Sequence, residues 1–228
     1  MTTNFAILTE FIPHGNLYDF LHCKEKELPP KMILTISKNL FSALEYLHTR
    51  VTISKKKKNL TSFFIIQNFF QNPIIVHRAV KSLNVLLASL DPSEKIIAKL
   101  ADFGEAKMLS SFLHGRGRVD NCNWLAPEVM TAGSEYNEKS DIYSAGIVLW
   151  ELATREHPFS CHPSFNSGFT FQLEDAILQG YRPKLPLNFF SQTFLRLIES
   201  CWRVDFLSRP SATQAMETLD SILVKDSL

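Results

Sequence analysis

Cysteine is scarce in this sequence. Only Cys23, Cys122, Cys161 and Cys201 occur among 228 residues, and no two of them stand in a C-x-x-C pair. That scatter speaks against a disulfide framework and against a structural zinc site, and it fits a reducing, cytoplasmic compartment. Long apolar runs are lacking as well. No stretch approaches the roughly 20 residues needed to cross a bilayer. The start, "MTTNFAILTEFIPHGN", has no basic segment leading into an apolar core, so neither a membrane association nor a secretory signal is expected. Nor is there an excess of charge of one sign. Lys and Arg number 24 against 23 Asp and Glu, a net +1, which gives no reason to expect a nucleic acid as partner. Glycine is limited to eight residues. None of them builds a G-x-G-x-x-G phosphate cradle; "GRGRVD" at Gly115–Asp120 lacks the third glycine.

What is present suits a globular domain. Hydrophobic residues make up 45% and charged residues 21%, and a chain of this length buries one substantial core or at most two small ones. "FAILTEF" (Phe5–Phe11) reads as a short buried strand. Asn16 is placed to cap a short helix, "LYDFLH". Ile33, Ile36, Leu40, Leu44 and Leu47 recur at intervals of three and four, which predicts an amphipathic helix over "KMILTISKNLFSALEYLH". Two apolar runs flank Asp91-Pro92-Ser93 in "VLLASLDPSEKIIAKLADF", the pattern of a hairpin. "KSDIYSAGIVLWELAT" is apolar on nearly every side, as a helix inside a domain is. Further helices are expected through "LEDAILQG", "SQTFLRLIESCW" and "SATQAMETLDSILV".

One segment breaks the pattern. Val51–Gln71 carries four consecutive lysines and then a run of Phe, Ile and Asn, with neither helical nor strand periodicity. Structureless inserts of this length are uncommon inside compact domains. Two readings stay open: a translated intron, since its removal joins "EYLHTR" to "NPIIVHR" without a gap, or a lysine-tipped surface loop.

The chemistry-bearing motifs are "HRAVKSLN" (His77–Asn84), "DFG" (Asp102–Gly104), "WLAPE" (Trp124–Glu128), "DIYSAGIVLWE" from Asp141 and "CWRVDFLSRP" (Cys201–Pro210). In this order and spacing the chain resembles the C-terminal lobe of a eukaryotic protein kinase, in the tyrosine-kinase-like group. The resemblance implies a mainly α (α+β) fold: a helical C-terminal lobe with a small β-hairpin over residues 13–223, interrupted by 51–71. Residues 1–12 would form one strand and the hinge of an otherwise missing N-terminal lobe, and 224–228 a tail. It also implies ATP and Mg²⁺ as cofactors and transfer of phosphate to protein Ser or Thr, or to Tyr. Asn84 and Asp102 would ligate the metal through hard oxygens, and Lys81 would face the γ-phosphate. Thr9 would be the gatekeeper, Glu10 and Ile12 would meet adenine through their backbone, and Leu86 would lie beneath the base. His77 and Phe103 would be core residues tethered by Asp141, and Glu128 with Arg209 a buried structural ion pair.

The departures from that family are as specific. Ala79 stands where the proton-accepting aspartate belongs, and a methyl group can take no proton. Asp120 and Asn121 replace the usual Gly-Thr, Phe206 replaces a proline, and Ser110 and Ser111 are the only hydroxyl residues between Glu105 and Asn121. Three readings follow. The chain is a pseudokinase that binds protein partners, through the face that a small lobe would otherwise cover; or a working kinase whose small lobe lies outside this sequence and whose insert is a retained intron; or a decaying gene product.

Overall fold

The computed structural model describes residues 9–49, 74–108, 122–131, 136–163 and 170–225. The insert at Val51–Gln71, most of the expected strand at Phe5–Phe11, the serines Ser110 and Ser111, and Asp120 with Asn121 lie outside the described residues. Residues 9–11 of that expected strand are described and carry no regular secondary structure.

Helix α1 (Leu17–His22) starts at Asn16, whose side-chain oxygen accepts the Asp19 N–H at 2.8 Å. A side-chain cap of this kind satisfies a backbone donor that the first turn leaves orphaned. Helix α2 (Pro30–His48) begins with proline in its first turn, where a missing N–H costs nothing. Its buried face runs through Ile33, Ile36, Leu40, Leu44 and Leu47. Strand β1 (Ile75–Val76) pairs antiparallel with β4 (Lys107–Met108). Strands β2 (Val85–Leu87) and β3 (Ala98–Leu100) form the hairpin expected around Asp91, with Val85 opposite Leu100 and Leu87 opposite Ala98. Helix α3 (Pro127–Met130) is a single turn.

Helix α4 (Glu138–Thr154) is the axis of the molecule. Asn137 and Ser140 cap it reciprocally, and every residue from Ser140 to Leu152 is buried. Helices α5 (Thr170–Leu178), α6 (Gln192–Cys201) and α7 (Ala212–Lys225) complete the fold. α2 packs on α7, β3 and α4, while α6 packs between α4 and α7. Gly146 is where α4 meets α6 most closely: a Cβ there would stand 2.7 Å from that of Cys201. The result is a mainly helical domain with small antiparallel two-stranded sheets, the architecture of a kinase C-terminal lobe. Among the described residues no helix is long and apolar enough to cross a membrane.

Candidate active site

The loop that leaves β1 is held from below by one carboxylate. Asp141, on the first turn of α4 and 1% exposed, accepts the backbone N–H of His77 at 2.7 Å through Oδ2 and that of Arg78 at 2.9 Å through Oδ1. His48 Nε2, at the end of α2, lies 2.9 Å from the same Oδ2. Three elements therefore converge on one side chain, which fixes where the loop starts.

His77 is fully buried and both of its ring nitrogens are used. Nε2 lies 3.1 Å from the Ala101 carbonyl oxygen, which can only accept, so Nε2 carries the hydrogen. Nδ1 is left to accept, and it receives the Ala79 N–H at 3.3 Å. Burial lowers the pKa of this imidazole from its ordinary value, against the pull of nearby Asp141, and holds the ring neutral. Arg78 and Asp102 both have positive φ, 69° and 65°, a left-handed conformation that side chains other than glycine's seldom adopt. Such conformations persist only where the surroundings over-determine them, and these two flank the site. The Arg78 guanidinium stacks 4.1 Å over the Tyr136 ring and reaches toward the Glu105 carbonyl at 3.5 Å.

Ala79, Asn84 and Asp102 are brought together. The Asn84 amide nitrogen donates to the Ala79 carbonyl at 2.8 Å and to Asp102 Oδ2 at 3.3 Å. With its nitrogen spent in this way, the carboxamide has its oxygen left for a cation, and the Asp102 carboxylate stands beside it. This donor set fits Mg²⁺, which wants hard oxygen ligands and completes its shell with water and phosphate. Among the described residues no group of three or more His, Cys, Asp or Glu side chains could hold a metal ion. Lys81 is half-buried, and its carbonyl accepts the Asn84 N–H at 2.9 Å, closing the turn that delivers Asn84.

Of the residues assigned to the nucleotide base, Thr9 and Glu10 are exposed, and Ile12 and Leu86 are half-buried. The segment that follows Ile12 is laced to β2: His14 N–H to Leu87 O at 3.2 Å, Leu87 N–H to Gly15 O at 2.8 Å, and a bridge between Asn16 and Leu86. Glu10 is fastened to β3 by its carboxylate, which accepts from Lys99 Nζ at 2.7 and 2.8 Å. Leu86 is thereby held beside the segment that carries Glu10 and Ile12.

Glu128 and Arg209 form a two-pronged pair, Nη1 to Oε1 at 2.6 Å and Nη2 to Oε2 at 2.8 Å, with the arginine side chain wholly buried. Phe103 requires a correction. Expected in the core, it is 51% exposed, although its ring still meets His77 edge-on at 4.8 Å. Sequence reasoning also passed over Glu151. It is fully buried on α4, bonded to Trp124 Nε1 at 2.7 Å and Ser82 Oγ at 2.8 Å, and burial pushes its pKa up to about 8. It joins the catalytic loop to the "WLAPE" stretch. A carboxylate inside a helix that is apolar on all sides was the signal.

Comparison with known proteins agrees with this geometry. Residues 1–219 match the family described as the protein kinase domain. The chain belongs to the protein kinase family. Among curated proteins of Dictyostelium discoideum, this kinase domain is similar to "Probable serine/threonine-protein kinase roco8", 38% identical over 228 residues, which is 98% of this chain and 11% of that protein. It is also similar to "Probable serine/threonine-protein kinase roco5", 36% identical over 208 residues, 90% of this chain and 7% of that protein. A third relative is "Dual specificity protein kinase shkC", 33% identical over 225 residues, 96% of this chain and 38% of that protein. The chain thus spans well under half the length of each of these relatives. Family membership implies ATP and Mg²⁺ as cofactors.

Proposed function

We propose that this kinase domain is of the tyrosine-kinase-like serine/threonine type and that, as the sequence stands, it does not transfer phosphate and acts by binding. The observation that carries this reading is at Ala79. Its backbone is seated by His77 Nδ1 on one side and Asn84 on the other. The loop is thus built around a side chain that cannot accept a proton. Loss of a positioned base costs on the order of 10²–10⁴-fold in rate.

Bound Mg²⁺ would neutralise charge on the nucleotide phosphates. Asn84 and Asp102 would hold the metal, and Lys81 would stand toward the γ-phosphate. Leu86 would lie beneath the base, with the backbone of Glu10 and Ile12 and the side chain of Thr9 along its edge. Asp141 and His77 would position the loop. None of these residues replaces the proton acceptor that Ala79 lacks.

The test is a γ-phosphate labelling assay on the purified chain, with Mg²⁺, ATP and a general protein substrate, run beside an Asp102→Ala control. The reading expects no label above that control. Sustained, Mg²⁺-dependent labelling that Asp102→Ala abolishes overturns it.

A further inference from the structure

A trough of about 740 Å³ lies between α6 and α7, with the loop that joins them as its third wall. None of its lining residues belongs to the cleft around Asn84 and Asp102. The sequence sets polar side chains along facing stripes of the two helices. Thr193, Arg196 and Ser200 follow at intervals of three and four on α6, while Gln214, Glu217 and Thr218 are spaced three and four from the first on α7. Residues so spaced share one face of a helix. The α6 stripe is about 10 Å long, which about three extended residues cover.

Most of the hydroxyl hydrogens here are already spent. Ser200 Oγ donates to the Leu197 carbonyl at 2.7 Å, Ser208 Oγ to that of Asp205 at 2.8 Å, and Thr218 Oγ1 to that of Gln214 at 2.9 Å. Gln214 Oε1 accepts the Ser211 N–H at 2.8 Å, which leaves its amide nitrogen to donate. The charged groups divide. Arg209 is committed to Glu128. Arg203 is exposed and uses Nη1 alone, on the Ser208 carbonyl at 3.1 Å. Arg196 is exposed and forms no hydrogen bond or ion pair among the described residues. Glu217, exposed on the opposite helix, is the one carboxylate in the lining. Two uncommitted cations thus face a single anion.

Charge and shape together select an occupant. A guanidinium presents a flat fork of donors that fits a carboxylate or a phosphate through two parallel bonds. Sites for small molecules are lined mostly by apolar side chains, whereas this lining is mostly polar, and a lone anion would fill a small part of it. Leu207, 75% exposed, offers an apolar contact to a chain that passes over it. We infer that the trough docks an extended segment of a partner polypeptide. An anionic side chain of that segment, carboxylate or phosphate, lies on Arg196 and Arg203, and a donor of the same segment faces Glu217. The inference stands whether or not the chain transfers phosphate.

Fluorescein-labelled octapeptides test it on the full chain by anisotropy: one carries glutamates, one phosphoserines, and one glutamines in the same places. The anionic peptides are expected to bind about tenfold more tightly than the glutamine peptide, the scale of two exposed ion pairs. Arg196→Gln with Arg203→Gln abolishes that preference while far-ultraviolet circular dichroism stays native. Lys24→Gln with Lys31→Gln removes the same charge from exposed positions elsewhere and keeps the preference. A tighter phosphoserine peptide makes the anion a phosphate, and parity makes it a carboxylate; both outcomes support the site. A preference that survives the arginine changes, or falls equally with the lysine changes, overturns it. Inorganic phosphate or an oligothymidylate that displaces the peptides at equal concentration overturns the polypeptide occupant. Should the double arginine variant fail to fold, Arg196→Gln, which breaks no contact among the described residues, is read in the same way.

Discussion

Asp141 and His77 are 64 residues apart in sequence, yet the carboxylate of the first receives the backbone N–H of the second at 2.7 Å, out of contact with solvent. The same side chain holds Arg78 and sits against His48. Asparagine in its place keeps one oxygen and turns an amide N–H₂ toward donors. Asp141→Asn is expected to cost about 3 kcal/mol or more, because a buried, charge-assisted set of bonds becomes partly unsatisfied. Equilibrium urea unfolding checks this. A loss under about 1 kcal/mol would mean that the loop is held by something else.

Arg209→Met leaves the Glu128 carboxylate without its partner beside a buried core. Breaking such a pair from one side typically costs about 3–5 kcal/mol. The double variant with Glu128→Gln is expected to lose less than the sum of the two single changes, since each removes the same interaction. Additive losses in the same unfolding measurement would show that the two prongs are energetically separate.

The pH dependence of stability has two limbs of known sign. Glu151 has its pKa raised by burial from 4.5 to about 8, so the folded state holds a proton that the unfolded state releases. Its contribution is complete below about pH 4.5 and is lost as pH rises toward 8, by at most about 1.4 kcal/mol per pH unit. Glu151→Gln keeps an oxygen to accept from Trp124, turns an amide N–H₂ toward the Ser82 hydroxyl that now donates to the carboxyl, and is expected to flatten that limb. His77 acts in the opposite direction. Its lowered pKa makes its contribution complete above the ordinary histidine value of about 6.5, with loss as pH falls through the folded value. Thermal melts from pH 5 to 9 read both limbs. An unchanged alkaline slope in Glu151→Gln would contradict the assignment.

Much of this was legible in the residues. Asn16 announced α1, the three-and-four spacing of Ile33 to Leu47 announced α2, and the all-round apolar stretch from Lys139 announced a buried helix. The β1–β4 pairing was not legible. Two strands of two residues, over thirty positions apart, are too short to carry periodicity, and their register is set by the loop that Asp141 holds. The exposure of Phe103 escaped for a related reason: burial depends on what packs over a ring, and the ring's own sequence neighbourhood does not say. Ala79, Asn84 and Asp102 could be aligned with a motif. That one amide bridges the other two is a fact of the folded chain alone.

The central claim is that a catalytic loop of correct geometry has lost its chemistry at one side chain. Its most direct test is γ-phosphate transfer by the unaltered chain and by Ala79→Asp, at saturating Mg²⁺ and ATP, with Asp102→Ala as the background. The account predicts that the unaltered chain stays at that background, below any transfer that the restored carboxylate supports. Transfer by the unaltered chain above that background would contradict it.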